Sequence, residues 1–131
     1  LGTFMMDLLA IQPSQLYISE MKLDRLLYHY KFDPHHLDAH EPLPIFTLDH
    51  DIIFTDGHTR ALLYYQHGIR KIPVVWDTDE LDLNLYRLCV SWCKQQKISN
   101  ISNLQNRTLP HDQYEIQWIE KCQNVRRGTD L

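Results

Sequence analysis

The sequence has no apolar run approaching the ~18 residues that a membrane-spanning helix requires, so no helical span is expected. It has no CxxC pair, and its cysteines are odd in number: Cys89, Cys93 and Cys122. An odd count without a secretion signal points to reduced thiols in a cytoplasmic setting rather than to a disulfide framework. Cys89 and Cys93 share a helix face by their spacing, but two ligands do not make a zinc site, and core thiols are expected. Basic residues are not in excess either. Lys and Arg number 13 against 17 Asp and Glu, for a net charge of -4. That balance argues against a duplex-DNA binder, which carries a basic face. It leaves room for a local basic pocket that takes one phosphate group. The opening LGTFMMDLLAIQ lacks the basic flank and cleavage site of a signal peptide, and Met5 or Met6 would make a natural start. There is no internal repeat and no low-complexity tract.

What is present suits one globular domain. The chain has 131 residues, 44% hydrophobic and 11% aromatic. A domain of that size buries roughly two-thirds of its unfolded surface and needs no staples. The expected domain covers residues 1–123, with a frayed tail over 124–131.

A strand is expected to end near Ile11, followed by an extended segment from Pro13 to Ile18. Ser19 is a candidate N-cap for a helix over about 20–30, with Leu23, Leu26, Leu27 and Tyr30 as its apolar stripe. Residues 31–43, with Pro34, Pro42 and three histidines, read as a loop holding at most one helical turn. Ile45–Leu48 and Ile52–Phe54 flank Asp49-His50-Asp51 as a hairpin would. A helix over about 58–67 should stop at Gly68, with Ala61, Leu62 and Tyr65 facing the sheet. Ile72–Trp76 reads as a strand with Pro73 near its start or at an edge. Asp77–Asp82 is an acidic loop feeding a helix over 82–97. A short helix over 101–106 and a last one over 111–123 follow, the last with Tyr114, Trp118 and Cys122 stacked. Strands in front and helices behind predict an α+β fold.

The corner between strand 52–54 and the following helix carries Asp56-Gly57-His58-Thr59-Arg60. A helix N-terminus presents unpaired N–H groups and a positive dipole end. Gly57 permits a positive φ and close approach of a ligand. Thr59 can donate a hydroxyl, Arg60 a fork that fits phosphate or carboxylate, and His58 a donor whose charge switches near neutral pH. Asp56 is out of place beside an anion unless it orients Arg60 or holds a magnesium ion that bridges phosphates. The plainer alternative makes Asp56 an N-cap, Thr59 a first-turn residue and Arg60 a surface cation.

In order along the chain, PSQLYISEMKL (13–23), FTDGHTRA (54–61), IPVVWDTDELD (72–82) and LYRLCVSWC (85–93) resemble one branch of the ParB/sulfiredoxin fold superfamily, which includes ParB-like proteins and the free serine kinases. The resemblance covers roughly residues 7–122. ParB proteins have Gly-Glu-Arg-Arg at the corresponding corner and sulfiredoxins Gly-Cys-His-Arg, where this chain has Gly57-His58-Thr59-Arg60. The resemblance implies a small mixed sheet surrounded by helices, with a helical C-terminal part. It also implies that Gly57, His58, Thr59 and Arg60 grip nucleotide phosphates. In the free serine kinases an early glutamate acts on the serine hydroxyl, which places Glu20 as the base. A first-turn glutamate also favours the helix dipole with no further role.

Two activities of the superfamily are not expected. The cysteine of sulfiredoxin chemistry would fall at His58, and a chain of this length has no room for the DNA-binding and dimerisation regions of partitioning ParB proteins. The function implied is phosphoryl transfer from ATP or ADP, with Mg²⁺, to a small hydroxyl-bearing metabolite such as free L-serine. Glu20 and Asp56 would be catalytic, and Asp56 the metal contact. The alternatives are a nucleotide-sensing module without turnover and, ranked last, a nucleic-acid binder or nuclease. Three of four further features are read mainly as structural. His35, His36 and His40 form a polar loop. Asp77, Asp79, Glu80 and Asp82 form a solvated run. Trp76 and Trp92 belong to the core, and Arg107 is a guess as a further phosphate contact.

Overall fold

The structure, a computed structural model, describes residues 2–29 and 31–128. Its first strand, β1 (Phe4–Asp7), stops well before Ile11. The Asp7 carboxylate accepts the Leu9 N–H and starts a 3-10 turn over Leu8–Ala10. A local side-chain bond thus overrides the apolar pattern that suggested a longer strand. The extended chain then pairs through Gln12 with Ile52 and Phe54 and reaches β2 (Ile18–Ser19). Ser19 caps α1 (Glu20–Asp24) as expected, its hydroxyl accepting the Lys22 N–H at 3.3 Å, and the helix runs on as a π-helical turn over Arg25–His29. Leu23, Leu26 and Leu27 pack against the core. Tyr30, expected to end their stripe, lies outside the described residues.

After a loop with one 3-10 turn (Leu37–Ala39), β3 (Leu43–Leu48) and β4 (Asp51–Phe54) form the expected antiparallel hairpin, with Leu48 opposite Asp51. Its turn places Asp49 at φ 56°, a left-handed conformation that Asp tolerates. Next come α2 (His58–Gln66) and β5 (Lys71–Trp76). The sheet order is β1-β5-β3-β4, with β5 antiparallel to β1 and parallel to β3. Pro73 stands just before the pairing with β3 begins at Val74, so its missing N–H interrupts no bond there. This is the small mixed sheet of an α+β fold.

Asp82 caps α3 (Leu83–Gln95), its carboxylate accepting the Leu85 N–H at 3.1 Å. Asp82→Ala is expected to cost about 1 kcal/mol in urea unfolding; an unchanged midpoint would mean that the cap contributes nothing. Beyond a 3-10 turn over Ile101–Leu104, β6 (Thr108–Leu109) pairs in parallel with β2. Two residues per strand carry no readable alternation, so this second sheet was not expected. The chain ends in α4 (His111–Tyr114), a π-helical turn over Glu115–Ile119, and α5 (Glu120–Arg126). The tail expected from 124 is therefore helical up to Arg126, and residues 129–131 lie outside the described ones.

The core lies between the four-stranded sheet and the helices, with Leu8, Ile45, Phe54, Leu62, Tyr64 and Ile72 almost fully buried. Tyr64, not Tyr65, is the buried tyrosine of α2; the Tyr65 ring instead carries the Arg70 guanidinium at 4.6 Å. Trp76 is 37% exposed at the end of β5, against Phe4, which corrects its expected place in the core. Trp92 is half-buried, edge-on to Trp118. No described helix is long and apolar enough to cross a membrane.

Candidate functional site

β4 ends in the core at Phe54, and Gly57 turns the chain into α2 with φ 81° and ψ 19°. That conformation is open to glycine at no steric cost. Space demands glycine as well: a Cβ would lie 2.7 Å from Leu43 Cδ2 and 3.2 Å from Arg60 Nη2. The Gly57 carbonyl accepts the Ala61 N–H at 2.9 Å. The amides of His58, Thr59 and Arg60 therefore have no helix carbonyl behind them and form the positive end of the helix.

This end opens onto a cavity of about 320 Å³. Residues 56–60 line it together with Gln15, Leu26 and Tyr114. Three cations converge there, Arg60 from α2, Lys22 from α1 and Arg25 from the π-helical turn, against the single carboxylate of Asp56. A chain with net charge -4 thus builds a locally positive hollow. Lys22 and Arg25 were not singled out in the sequence. Their signal was the spacing of three within a helix, which puts both on one face. The Lys22 ammonium also sits 5.0 Å from the Tyr114 ring centroid.

The corner residues divide their work differently from expectation. Arg60 is positioned by the Glu41 carbonyl, which accepts from Nη1 at 2.9 Å. Asp56 does not hold it; the Asp56 carboxylate accepts the Gly57 N–H at 2.8 Å. Thr59 lines the cavity. His58 is the main correction. Its ring is buried, and Nε2 accepts the Ser14 N–H at 3.0 Å. A ring nitrogen that accepts carries no proton, so the imidazole is neutral with its proton on Nδ1. Burial lowers its pKa from 6.5 to about 4, against a weaker upward pull from Asp56. His58 therefore offers the cavity a backbone N–H rather than a cation, and its ring ties the corner to residue 14. Ser14 completes the tie by donating its hydroxyl to the Phe54 carbonyl at 2.7 Å.

Glu20 is not brought to this cavity. It is exposed and lines a separate hollow with Asp24, Arg25, His29 and His111. The reason is helical geometry. Glu20 and Lys22 stand about 200° apart around the helix axis, so when Lys22 faces the cavity Glu20 faces away. Arg107 is likewise committed elsewhere: Nε donates to the Leu16 carbonyl at 2.8 Å, and its guanidinium lies 4.5 Å over the Tyr17 ring. In the histidine loop, His36 pairs with Asp33, whose carboxyl is held below its usual range chiefly by the His35 N–H. Asp77 accepts the Thr55 hydroxyl and the Asp79 N–H. Among the described residues no group of three or more His, Cys, Asp or Glu is placed to hold a metal ion.

Behind Asp56 and His58 lies a second cavity of about 250 Å³, sharing those two residues and Gln15 with the first. Its far wall comes from α3 and the C-terminal helices, with Tyr86, Cys89, Trp118, Cys122 and Arg126. The Tyr86 hydroxyl donates to the Thr55 carbonyl at 2.9 Å, bracing the corner from this side.

No protein-family model matches this chain, and no curated protein matches it. Among solved structures it is similar to the crystal structure of protein Atu1540 from Agrobacterium tumefaciens, with 10% sequence identity and a TM-score of 0.49. The match covers 79% of this chain and 61% of that one, so the chain spans less than two-thirds of that protein's length.

Proposed function

We propose that this chain binds the phosphates of a nucleotide at the α2 N-terminus and transfers a phosphoryl group from ATP or ADP to the hydroxyl of a small metabolite, with free L-serine the first acceptor to test. One observation carries this reading: Lys22, Arg25 and Arg60 line one cavity together with residues 58–60, the N-terminal turn of α2. Phosphoryl transfer asks the protein mainly for positioning and for neutralisation of charge, and such a hollow supplies both. The resemblance of residues 54–61 and their flanks to the ParB/sulfiredoxin superfamily supports it. So does the net charge of -4, which disfavours nucleic acid. A cytoplasmic place belongs to the same reading.

In this scheme Asp56 takes the role first expected of Glu20. It stands between the two cavities, where a hydroxyl from the second could meet a phosphate in the first, and it would accept the hydroxyl proton as the new P–O bond forms. Asp56 is also the one carboxylate among the residues that line the first cavity, and a single carboxylate plus phosphate oxygens suits magnesium. The ion would supply charge neutralisation when bound. A second reading, a nucleotide-sensing module without turnover, is favoured by the position of Glu20 away from the cavity.

Thermal shift with ATP, ADP, CTP and GTP, each with magnesium, tests the binding. Saturation at ~100 times the dissociation constant adds about 2.7 kcal/mol of stability, and Arg60→Ala should remove most of that gain. No shift with any of the four would end the proposal. Asp56→Asn separates the readings: the enzyme loses product while keeping the stabilisation that nucleotide gives without magnesium. If a screen of hydroxyl-bearing metabolites yields no phosphorylated product, the chain is a sensor.

A further inference from the structure

A third cavity, of about 710 Å³, lies beside the β3–β4 turn and shares no lining residue with the first two. Met6, Ile52 and Ile98 give it an apolar wall, and Lys94, Lys97 and Asp51 bring charge to it. Asp51 is taken by Lys94, at 2.6 Å. The Lys97 ammonium pairs with no carboxylate among the described residues. Gln12, 6% exposed, is the buried polar residue of the lining. Its backbone N–H and carbonyl are bonded to Ile52 and Phe54. Its Nε2 donates to the Pro13 carbonyl at 2.9 Å and to the Ile98 carbonyl at 2.8 Å, which uses both amide hydrogens. Both partners are acceptors, so the amide cannot be turned round. Oε1 is left as the one polar atom of Gln12 that bonds to no described residue. Lys97 is unusual in its backbone too. It stands one residue past the Gln96 cap of α3 with φ 61°, the left-handed position where glycine is the common residue.

We propose that this cavity is a second ligand site, for a carboxylic acid that carries an apolar body and an N–H donor: the chemistry of an acylated apolar amino acid. The carboxylate pairs with Lys97, the N–H donates to Gln12 Oε1, and the apolar body packs on Met6, Ile52 and Ile98. Each part of the ligand answers a group that the protein leaves open. One free cation matches a single negative charge, which a carboxylate carries and a phosphate ester exceeds, and Asp51 stands against a second charge. An acid without a donor would set Oε1 against carbon or oxygen and lose a hydrogen bond that water supplies in the empty site. The volume falls in the range of small-molecule sites. The same chemistry occurs in a free acylated amino acid and at the C-terminus of a peptide. The site stands whether or not the first cavity takes a nucleotide.

The test is titration of the full, isotope-labelled chain with N-acetyl-L-phenylalanine, followed by amide NMR. Shifts are expected at Gln12, Ile52 and Ile98 and not at residues 57–60. N-acetyl-L-phenylalaninamide, which lacks the charge, should bind about tenfold more weakly. So should the ester analogue in which oxygen replaces the N–H, again by about tenfold. Both controls alter the ligand, so folding of the protein is not in question. Lys97→Gly should also weaken binding about tenfold, and its urea midpoint should hold or rise because glycine suits a φ of 61°. An acetylated tetrapeptide ending in phenylalanine separates the two sources: tighter binding than the single residue marks a peptide C-terminus, and equal binding marks the free amino acid. No shift at millimolar ligand, shifts confined to residues 57–60, equal binding of the acid and either control, or Lys97→Gly binding as tightly as wild type would each overturn the proposal.

Discussion

A Gly57→Val protein is expected to unfold about 2–4 kcal/mol more easily than the wild type, from left-handed strain of roughly 1–2 kcal/mol plus overpacking of similar size. It should also give no thermal shift with any phosphate ligand. Two effects add at this residue. The φ of 81° is unfavourable for any L side chain, more so for a β-branched one. The new carbons would also enter space held by Leu43 Cδ2, buried under the corner, and by the Arg60 guanidinium. Arg60 must then leave its place, and the cavity loses a cation together with the regular start of α2. Gly68 provides the control. Its φ is 76°, yet nothing lies within 4 Å of where its Cβ would be. Gly68→Val should therefore cost only the strain and leave ligand-induced shifts intact. Equal losses from the two substitutions in urea unfolding would show that Gly57 is not crowded.

Acidification should cost the fold about 3 kcal/mol through His58 alone, taking 1.36 kcal/mol per pKa unit. Its pKa is 6.5 unfolded and about 4 folded. Between those values the unfolded chain binds a proton that the native protein refuses, so stability falls as pH falls. The contribution is complete above pH 6.5 and is lost progressively down to about pH 4. Protonation would also place a donor against the Ser14 N–H, which now donates to Nε2. His58→Gln keeps an acceptor for Ser14 without a titrating ring. It should flatten unfolding free energy between pH 6.5 and 4 relative to wild type. An unchanged slope in that variant would show that the imidazole is not the buried neutral base described above.

Local signals carried most of the fold. The hairpin around Asp49-His50, the Ser19 cap and the stop at Gly68 all rest on interactions within a few residues, which periodicity and capping rules read directly. The corner at Gly57 was legible for the same reason, since a glycine between a strand and a helix forms its own geometry. The misses were long-range. Nothing near β6 marks it as the partner of Ile18-Ser19, because the pairing joins segments far apart in the chain. His58 looked like a switchable donor because its acceptor role depends on Ser14, from an extended segment far away in the chain. Glu20 looked catalytic until the rotation of α1 placed Lys22 toward the cavity instead. Lys22 and Arg25 share a face that sequence can infer, but what that face meets is decided by tertiary packing.

Calorimetric titration with inorganic tripolyphosphate tests the anion hollow most directly, because this ligand has no base, sugar or acceptor group. One binding site is predicted, weaker as salt rises, and absent when Lys22, Arg25 and Arg60 are all replaced by alanine in a protein that still unfolds cooperatively. Tripolyphosphate that fails to bind the wild type, or binds the triple variant equally well, would contradict the account.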